Sequence, residues 1–348
     1  MNNIKLKERL IPEGWILKKL SEVASTGSGG TPLSTKIEYY KDGNIPWINS
    51  GEVGQHSIKA TKNFITKLGM ENSSAKLFPK GSVLLAMYGA TAGRASLLEF
   101  EATTNQAVCA IIPKKGYNAS FIKYYLDVLY YYLVGVSTGS ARDNLNQNGI
   151  LDIEIPFPNE LTQQKIASVL SALDNKIELN NRINAELEAM AKTLYDYWFV
   201  QFDFPDKKGK PYKTSGGKMV WNEELKREIP EGWEVKELNN FSNTASGGTP
   251  LSTKKEYYVD GNIPWINSGE LNSPFIIEGK KFITKAGIVN SNAKMFEANT
   301  LLVALYGATA GKVSLLQIEA CTNQAVCAII PYSKASTNFL KFAFIHKN

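Results

Sequence analysis

Cysteine and histidine are scarce in this sequence of 348 residues, which holds three cysteines and two histidines. Cys109, Cys321 and Cys327 form no C-x-x-C pair and are odd in number, which argues against a disulfide framework and a zinc site. His56 and His346 lie far apart in the sequence. We therefore expect no metal site and a reducing compartment.

Long hydrophobic runs are also missing. No window approaches the roughly 18 consecutive apolar residues of a membrane span, and the N-terminus lacks the apolar core of a signal peptide. The hydrophobic fraction of 43% is that of a globular protein, and the net charge of +6 is compatible with an anionic partner. These features predict a cytoplasmic protein with no membrane partner.

The signatures of common enzymes are absent as well. Segment 307–314 resembles a phosphate-binding loop, but three residues rather than four separate its glycines, and Val313 separates Lys312 from the serine. The sequence contains no dinucleotide-binding G-x-G-x-x-G, no methyltransferase tetrad, no G-x-S-x-G elbow and no distinctive acid pair. We therefore expect a non-catalytic chain without a cofactor of its own.

A tandem repeat is the main positive feature. Segment 11–15 recurs at 229–233, and the other recurrences keep the same offset of about 218 residues: 29–36 at 247–254, 42–52 at 260–270, 88–93 at 306–311, and 104–113 at 322–331. Solenoid repeats have periods of about 20–50 residues, whereas each copy here is long enough to form a domain. Residue 348 corresponds to residue 130 of the first copy, so we interpret the second copy as incomplete at its C-terminus.

Within each copy the pattern predicts an α+β domain. Segments 82–88 and 107–113 are short apolar runs typical of buried strands, and 44–49 is a further predicted strand. The glycine-rich segment 27–32 is predicted to be a loop, and the apolar spacing over 121–134 predicts a helix.

A long helix is predicted between the copies, because residues from 160 to about 200 include neither glycine nor proline, and Asn159 can cap its start. Apolar positions there alternate by four and three residues, which is typical of a coiled-coil seam, and a helix of about 40 residues is roughly 60 Å long and needs a partner helix. Asn180 and Asn184 interrupt the apolar pattern; either the helix meets solvent there, or a polar layer fixes the register. The predicted seam residues are Ile166, Leu170, Leu173, Ile177, Asn180, Asn184, Leu187 and Leu194.

The predicted organisation has four parts: a first repeat domain (1–157), a spacer helix (158–200), a basic linker (201–228) and an incomplete second repeat domain (229–348).

Several motifs together resemble those of the specificity (S) subunits of type I restriction–modification systems. The recognition-domain signatures are 11–15, 45–52, 89–94 and 105–106, and the junction into the helix is represented by 139–145 and 155–166. The resemblance implies two target-recognition domains joined by a coiled-coil-type helix. It also implies that methylation and cleavage reside in separate methyltransferase (M) and restriction (R) subunits, which would bind S-adenosylmethionine, ATP and Mg²⁺.

The departure from this family pattern is the C-terminus, where a second junction and helix are expected. Either the chain is a truncated gene product, or its helix pairs with one from a second S chain. Two other hypotheses are a silent, inactive specificity protein and an assembly module without DNA binding of its own.

The resemblance implies a bipartite DNA target, with one major-groove half-site for each domain. Because the two copies are more than half identical, we expect a near-palindromic site. Polar residues of the repeated loops are the candidates for base or phosphate contact, since amides can bond adenine and Arg or Lys can bond guanine or phosphate. They are Thr31, Asn49, Ser50, Thr91, Arg94, Asn105, Gln106 and Arg142 in the first copy, with Thr249, Asn267, Ser268, Thr309, Lys312, Asn323 and Gln324 in the second.

Two structural interpretations stand beside these candidates. Asn105 and Gln106 can instead cap a turn before the buried strand, and the tryptophans at 15, 47, 233 and 265 are better explained as core residues than as stacking platforms. The two copies differ most clearly where segment 53–60 of the first corresponds to segment 271–278 of the second. This window is either a neutral surface loop or a loop that reads bases, and we favour the second interpretation.

Overall fold

A computed structural model describes residues 11–137, 145–333 and 336–347. The chain divides into two compact units, Met1–Arg182 and Ile183–Asn348, and the boundary lies within the long helix. Each unit contains strands, short helices and part of that helix, which confirms the predicted α+β class with two repeated domains.

The first unit contains eleven strands and six helices in its described residues. The strands are β1 (Ile16–Lys19), β2 (Ala24–Ser28), β3 (Ile45–Ile48), β4 (Ser57–Ile58), β5 (Phe64–Ile65), β6 (Leu77–Phe78), β7 (Val83–Ala86), β8 (Ala95–Leu98), β9 (Ala102–Thr104), β10 (Val108–Pro113) and β11 (Glu154–Phe157). The helices are α1 (Leu20–Val23), α2 (Lys67–Glu71), α3 (Ala119–Val128), α4 (Tyr130–Ser137), α5 (Gln147–Leu151) and α6 (Glu160–Tyr195). Short 3₁₀ turns cover Ile37–Tyr39 and Ser50–Glu52.

Two sheets make up most of the first unit. One has five strands in the order β2-β10-β7-β8-β4, the other has four in the order β5-β3-β9-β6, and β1 pairs with β11. The predicted buried strands are β7 and β10, and both are central. Because successive side chains of a strand point to opposite faces, Val83 and Leu85 enter one apolar core while Leu84 and Ala86 enter the other.

The second unit repeats the five-stranded and the four-stranded sheet with the same strand order, and its two-stranded sheet is the hairpin of its first two strands. Its strands are β12 (Met219–Asn222), β13 (Arg227–Pro230), β14 (Ser242–Ser246), β15 (Ile263–Ile266), β16 (Phe275–Ile276), β17 (Phe282–Ile283), β18 (Met295–Phe296), β19 (Leu301–Ala304), β20 (Val313–Leu316), β21 (Ala320–Thr322) and β22 (Val326–Pro331). Its helices are α7 (Lys285–Val289) and α8 (Ser336–Lys347), and 3₁₀ turns cover Leu238–Asn240, Lys255–Tyr257 and Ser268–Glu270. The segment interpreted as a basic linker contains most of the β12–β13 hairpin.

The helix predicted over 121–134 is broken in the structure. Asn118 Oδ1 accepts a hydrogen bond from the Phe121 amide at 3.0 Å and caps α3, which therefore begins earlier than expected. Leu129, with φ −86° and ψ 2°, leaves the helical conformation and separates α3 from α4. The predicted helix is therefore confirmed over 121–134 apart from Leu129, an interruption that apolar spacing does not reveal.

The long helix α6 forms where it was predicted, and Asn159 Oδ1 caps it by accepting from the Thr162 amide at 2.9 Å. A π-helical turn, Asp196–Val200, follows it. At the start of the seam, Ile166 packs against the core of the first unit. Further along, Leu173 and Ile177 are 56% and 58% exposed, and Asn180 and Asn184 are also exposed. None of the helices in the described ranges is long and apolar enough to cross a membrane.

Candidate nucleic-acid interface

The ends of two parallel strands bring most of the candidate residues together. In the first unit β3 and β9 run parallel, with Ile48 opposite Thr104. The residues that follow, Asn49 and Asn105, therefore lie at the same edge of the sheet, and the Asn105 amide donates to the Ile48 carbonyl at 3.0 Å. In the second unit β15 and β21 repeat this pairing, so the segments 267–268 and 323–324 meet in the same way.

An exposed Thr–Gln pair stands at this edge in both units. Thr31 Oγ1 donates to Gln106 Oε1 at 2.6 Å, and Thr249 repeats this bond to Gln324 at 2.5 Å. All four residues are exposed. The bond fixes the glutamine amide with its oxygen toward the threonine, so that its NH₂ group faces away as a donor. Such an amide can bond an acceptor on a base edge or a phosphate oxygen.

A close backbone approach places the threonine beside the glutamine. The Gly30 amide donates to the Thr104 carbonyl at 2.9 Å, and a Cβ at position 29 would lie 1.8 Å from that carbonyl oxygen. Only glycine fits at position 29, and Gly247 has the same relationship to Thr322 in the second unit. The loop is closed further by Trp47, whose indole Nε1 donates to the Gly30 carbonyl at 3.0 Å.

A glutamate that the sequence reasoning missed holds the adjoining 3₁₀ turn. Glu52 accepts from the Asn49 amide at 3.0 Å, from Thr61 Oγ1 at 2.7 Å and from Asn63 Nδ2 at 3.0 Å. Glu270 accepts from the Asn267 amide at 3.0 Å. The available signal was an Asn followed three residues later by Glu, which is a capping pattern at the start of a helical turn.

Some candidates are committed to internal bonds. The Thr91 hydroxyl donates to the Ser50 carbonyl at 2.7 Å, and Thr309 donates to the Ser268 carbonyl at 2.9 Å with only 6% of its surface exposed. These two threonines join the 88–93 turn and its counterpart to the sheet edge. The hydroxyl protons of Thr91 and Thr309 are therefore used within the domain, and contact of these two residues with DNA stays a prediction.

The remaining candidates are placed as follows. Asn105 Oδ1 accepts from the Ala107 amide at 3.1 Å, as a turn-capping residue does, and Asn323 repeats this bond at 3.2 Å. Arg94 is exposed, with its guanidinium carbon 4.1 Å from the centre of the Tyr130 ring, and Lys312 is exposed in the second unit. Arg142 lies outside the described residues.

No enzyme-like nucleophile emerges from the cysteines of the described chain. Burial raises the pKa of the Cys109 thiol to about 12 and that of Cys321 to about 11, and it also raises the pKa of Cys327. A thiol with a raised pKa remains protonated at neutral pH and is a poor nucleophile and a poor metal ligand.

Comparison with known proteins shows which family the chain belongs to. Residues 12–189 and 230–348 match the family model of the type I restriction modification DNA specificity domain. The chain belongs to this family. The MjaIX specificity subunit of Methanocaldococcus jannaschii is 33% identical over 298 residues, which cover 84% of this chain and 66% of that protein, just under two thirds. The HindI specificity subunit of Haemophilus influenzae is 24% identical over 374 residues, covering 91% of this chain and 80% of that protein.

A solved structure supports the fold of this family member. The S subunit of a type I restriction–modification system from M. genitalium has a TM-score of 0.53 to this chain at 14% identity, with coverage of 97% of this chain and 80% of that one. The family-model match over residues 12–189 and 230–348 confirms the motif resemblance to type I specificity subunits.

In this specificity-domain chain, the divergent window 53–60 contacts α6. His56 Nδ1 lies 2.9 Å from Asp174 Oδ2, and Lys59 Nζ lies 2.6 Å from Glu178 Oε2. The window therefore docks the first domain on the helix. This contact is a structural role for the window, and base reading by the same loop stays a prediction.

Proposed function

We propose that this chain is the non-catalytic, DNA-reading component of a type I restriction–modification complex. The observation that carries the proposal is the exposed Thr–Gln pair, which occurs with the same geometry at the same sheet edge of both units. Two surfaces of like chemistry read like sequences, so the proposed target is bipartite and near-palindromic. Residues 1–157 and 229–348 remain the proposed recognition domains.

The partners follow from the same proposal. The chain would bind double-stranded DNA and dock methyltransferase and restriction subunits, and S-adenosylmethionine, ATP and Mg²⁺ would bind to those partners. A second S chain that pairs through the exposed seam of α6 is a further proposed partner, because Leu173 and Leu187 are each 56% exposed. Light scattering of the purified chain, with Leu187→Lys as the comparison, tests that pairing.

The decisive experiment is co-expression with a cognate methyltransferase subunit, followed by methylome sequencing. We expect methylation at a site with two similar half-sites. Two unrelated half-sites would contradict the near-palindromic proposal, and complete absence of methylation would favour the silent or assembly-only alternative.

A second experiment tests the Thr–Gln pair itself. The double variant Gln106→Ala with Gln324→Ala removes both exposed amides, and we expect DNA binding to weaken by about 1–3 kcal/mol for each lost specific contact. Ser34→Ala, an exposed change in the same loop, is the control. Binding of the native chain to duplex DNA should also weaken steeply with salt, because neutralised phosphates release counterions.

A further inference from the structure

A repeated cleft lies next to the Thr–Gln edge of each unit. In the second unit it has a volume of about 620 Å³ and is lined in part by Thr249, the threonine that bonds Gln324. In the first unit it has a volume of about 360 Å³ and is lined in part by Trp47, which bonds the Gly30 carbonyl next to Thr31. Seven lining positions are equivalent at the offset of 218 residues, and six of them hold the same residue type in both units. The cleft is therefore part of the repeated domain.

The seventh position differs in charge, because Asn63 of the first unit corresponds to Lys281 of the second. Asn63 Nδ2 donates to Glu52 Oε1 at 3.0 Å, so this amide is used inside the first domain. In the second domain Glu270 instead accepts from the Lys280 backbone amide at 3.1 Å, and Lys281 is exposed. The second cleft thus has an additional ammonium group that a ligand from solvent can reach.

The balance of charge in the two clefts differs as a result. The first cleft has one carboxylate, of Asp42, and one ammonium, of Lys62. The second has the carboxylate of Asp260 and the ammonium groups of Lys280 and Lys281, which leaves one positive charge in excess. Within the ranges that the structure describes, neither lysine of the second cleft forms an ion pair. The second cleft therefore attracts an anion more strongly than the first.

The neighbouring Thr–Gln edge indicates which anion this is. If Gln324 reaches a base edge in the major groove, phosphates of the groove wall lie close by, because the groove is about 12 Å wide. A cleft bordered by Thr249 would lie against that wall, where lysine side chains contact phosphate oxygens.

On the basis of the proposed DNA reading, we propose that Lys281, together with Lys280, binds a backbone phosphate of the half-site read by the second domain. The first domain makes no equivalent contact through Asn63, whose amide is bonded to Glu52. The two domains then read similar half-sites but hold the DNA backbone with unequal strength.

The salt dependence of DNA binding by the full chain tests this contact. Each neutralised phosphate contributes about 0.9 to the slope of log affinity against log salt concentration, so one contact changes the affinity about three- to fourfold between roughly 50 and 200 mM salt. Lys281→Asn copies the first domain and should lower the slope for random-sequence duplex DNA by about 0.9 in fluorescence anisotropy. Lys281→Arg keeps the charge and should retain the native slope. Lys208→Asn removes the same charge from an exposed position outside the cleft and should change the slope less.

A slope that falls no more in Lys281→Asn than in Lys208→Asn would overturn the proposal while leaving the proposed DNA reading intact. Methylome sequencing with the cognate methyltransferase subunit is the second readout. Because phosphate contacts carry no sequence information, Lys281→Asn should leave the methylated sequence unchanged, and a changed sequence would show that Lys281 reads a base instead. If the native chain binds duplex DNA without salt dependence or not at all, the proposed DNA reading fails, and the phosphate contact fails with it.

Discussion

The imidazole Nδ1 of His56 lies 2.9 Å from the carboxylate Oδ2 of Asp174. His56 immediately precedes β4, the edge strand of the five-stranded sheet, and Asp174 belongs to α6. This contact therefore ties a sheet edge of the first domain to the helix. Pro274 takes the place of His56 in the second domain, so the repeats resemble each other at the Thr–Gln edge and differ where the helix docks.

The first prediction concerns pH. Burial and the nearby Lys123 ammonium lower the pKa of His56, and they outweigh Asp174, which raises it. Since the folded chain holds the pKa below its ordinary value of 6.5, the unfolded chain takes up the proton first as the pH falls. Stability of the first unit should therefore decrease as the pH drops through 6.5 and below.

His56→Gln removes that titrating group. The stability of the variant should therefore depend less on pH, at pH 6.5 and below, than the stability of the native chain. Thermal unfolding at a series of pH values measures the difference between the two chains. An unchanged slope in the variant would show that other groups cause the pH dependence.

A second prediction concerns the hydroxyl of Tyr124, which donates to Asp174 Oδ2 at 2.8 Å and lies 3.3 Å from Ser171 Oγ. Tyr124→Phe leaves the half-buried carboxylate of Asp174 with one hydrogen-bond donor fewer. We expect the free energy of unfolding of the first unit to fall by about 1–2 kcal/mol. Amide hydrogen exchange at β7 and β10 reports the opening free energy of that unit. Tyr131→Phe, at an 87% exposed position, is the control and should change it by less than about 0.5 kcal/mol.

A third prediction concerns the glycine of the Thr–Gln edge. Gly29→Ala places a methyl group 1.8 Å from the Thr104 carbonyl oxygen, so the loop must move, and we expect destabilisation of about 3 kcal/mol. Gly51→Ala is the control: a Cβ at position 51 has no atom within 4 Å, so the variant should have nearly the native stability. Similar melting temperatures for the two variants would contradict the close packing of this loop.

A fourth prediction concerns Glu52, which orients the turn beside Asn49. Glu52→Ala leaves three hydrogen-bond donors without their acceptor. We expect the free energy of unfolding to fall by about 1–3 kcal/mol. We also expect weaker recognition of one half-site. Glu101→Ala, at an exposed position, also removes one negative charge and is the control for Glu52→Ala. Methylome sequencing of the co-expressed variants distinguishes the two, because only Glu52→Ala should relax the sequence read by the first domain.

Local features of the sequence predicted the elements that depend on them. The apolar runs at 82–88 and 107–113 contain the buried strands β7 and β10, and Asn159 caps α6 as predicted. The local pattern did not indicate the turn at Leu129 within the expected helix, nor that the Thr309 hydroxyl donates to the Ser268 carbonyl inside the domain. A polar residue in a repeated loop gives no sign in the sequence of whether its hydroxyl faces solvent or a neighbouring carbonyl.

The sequence by itself determined the tandem repeat, the family resemblance, the α+β class and the long helix, because each depends on motif identity or on a short-range period. The tertiary structure alone decided that Thr31 meets Gln106 across 75 residues of chain, and that His56 faces Asp174 on the helix. Both contacts depend on strand pairing and helix docking between distant segments. Such contacts are selected by packing in three dimensions, which has no counterpart in local periodicity.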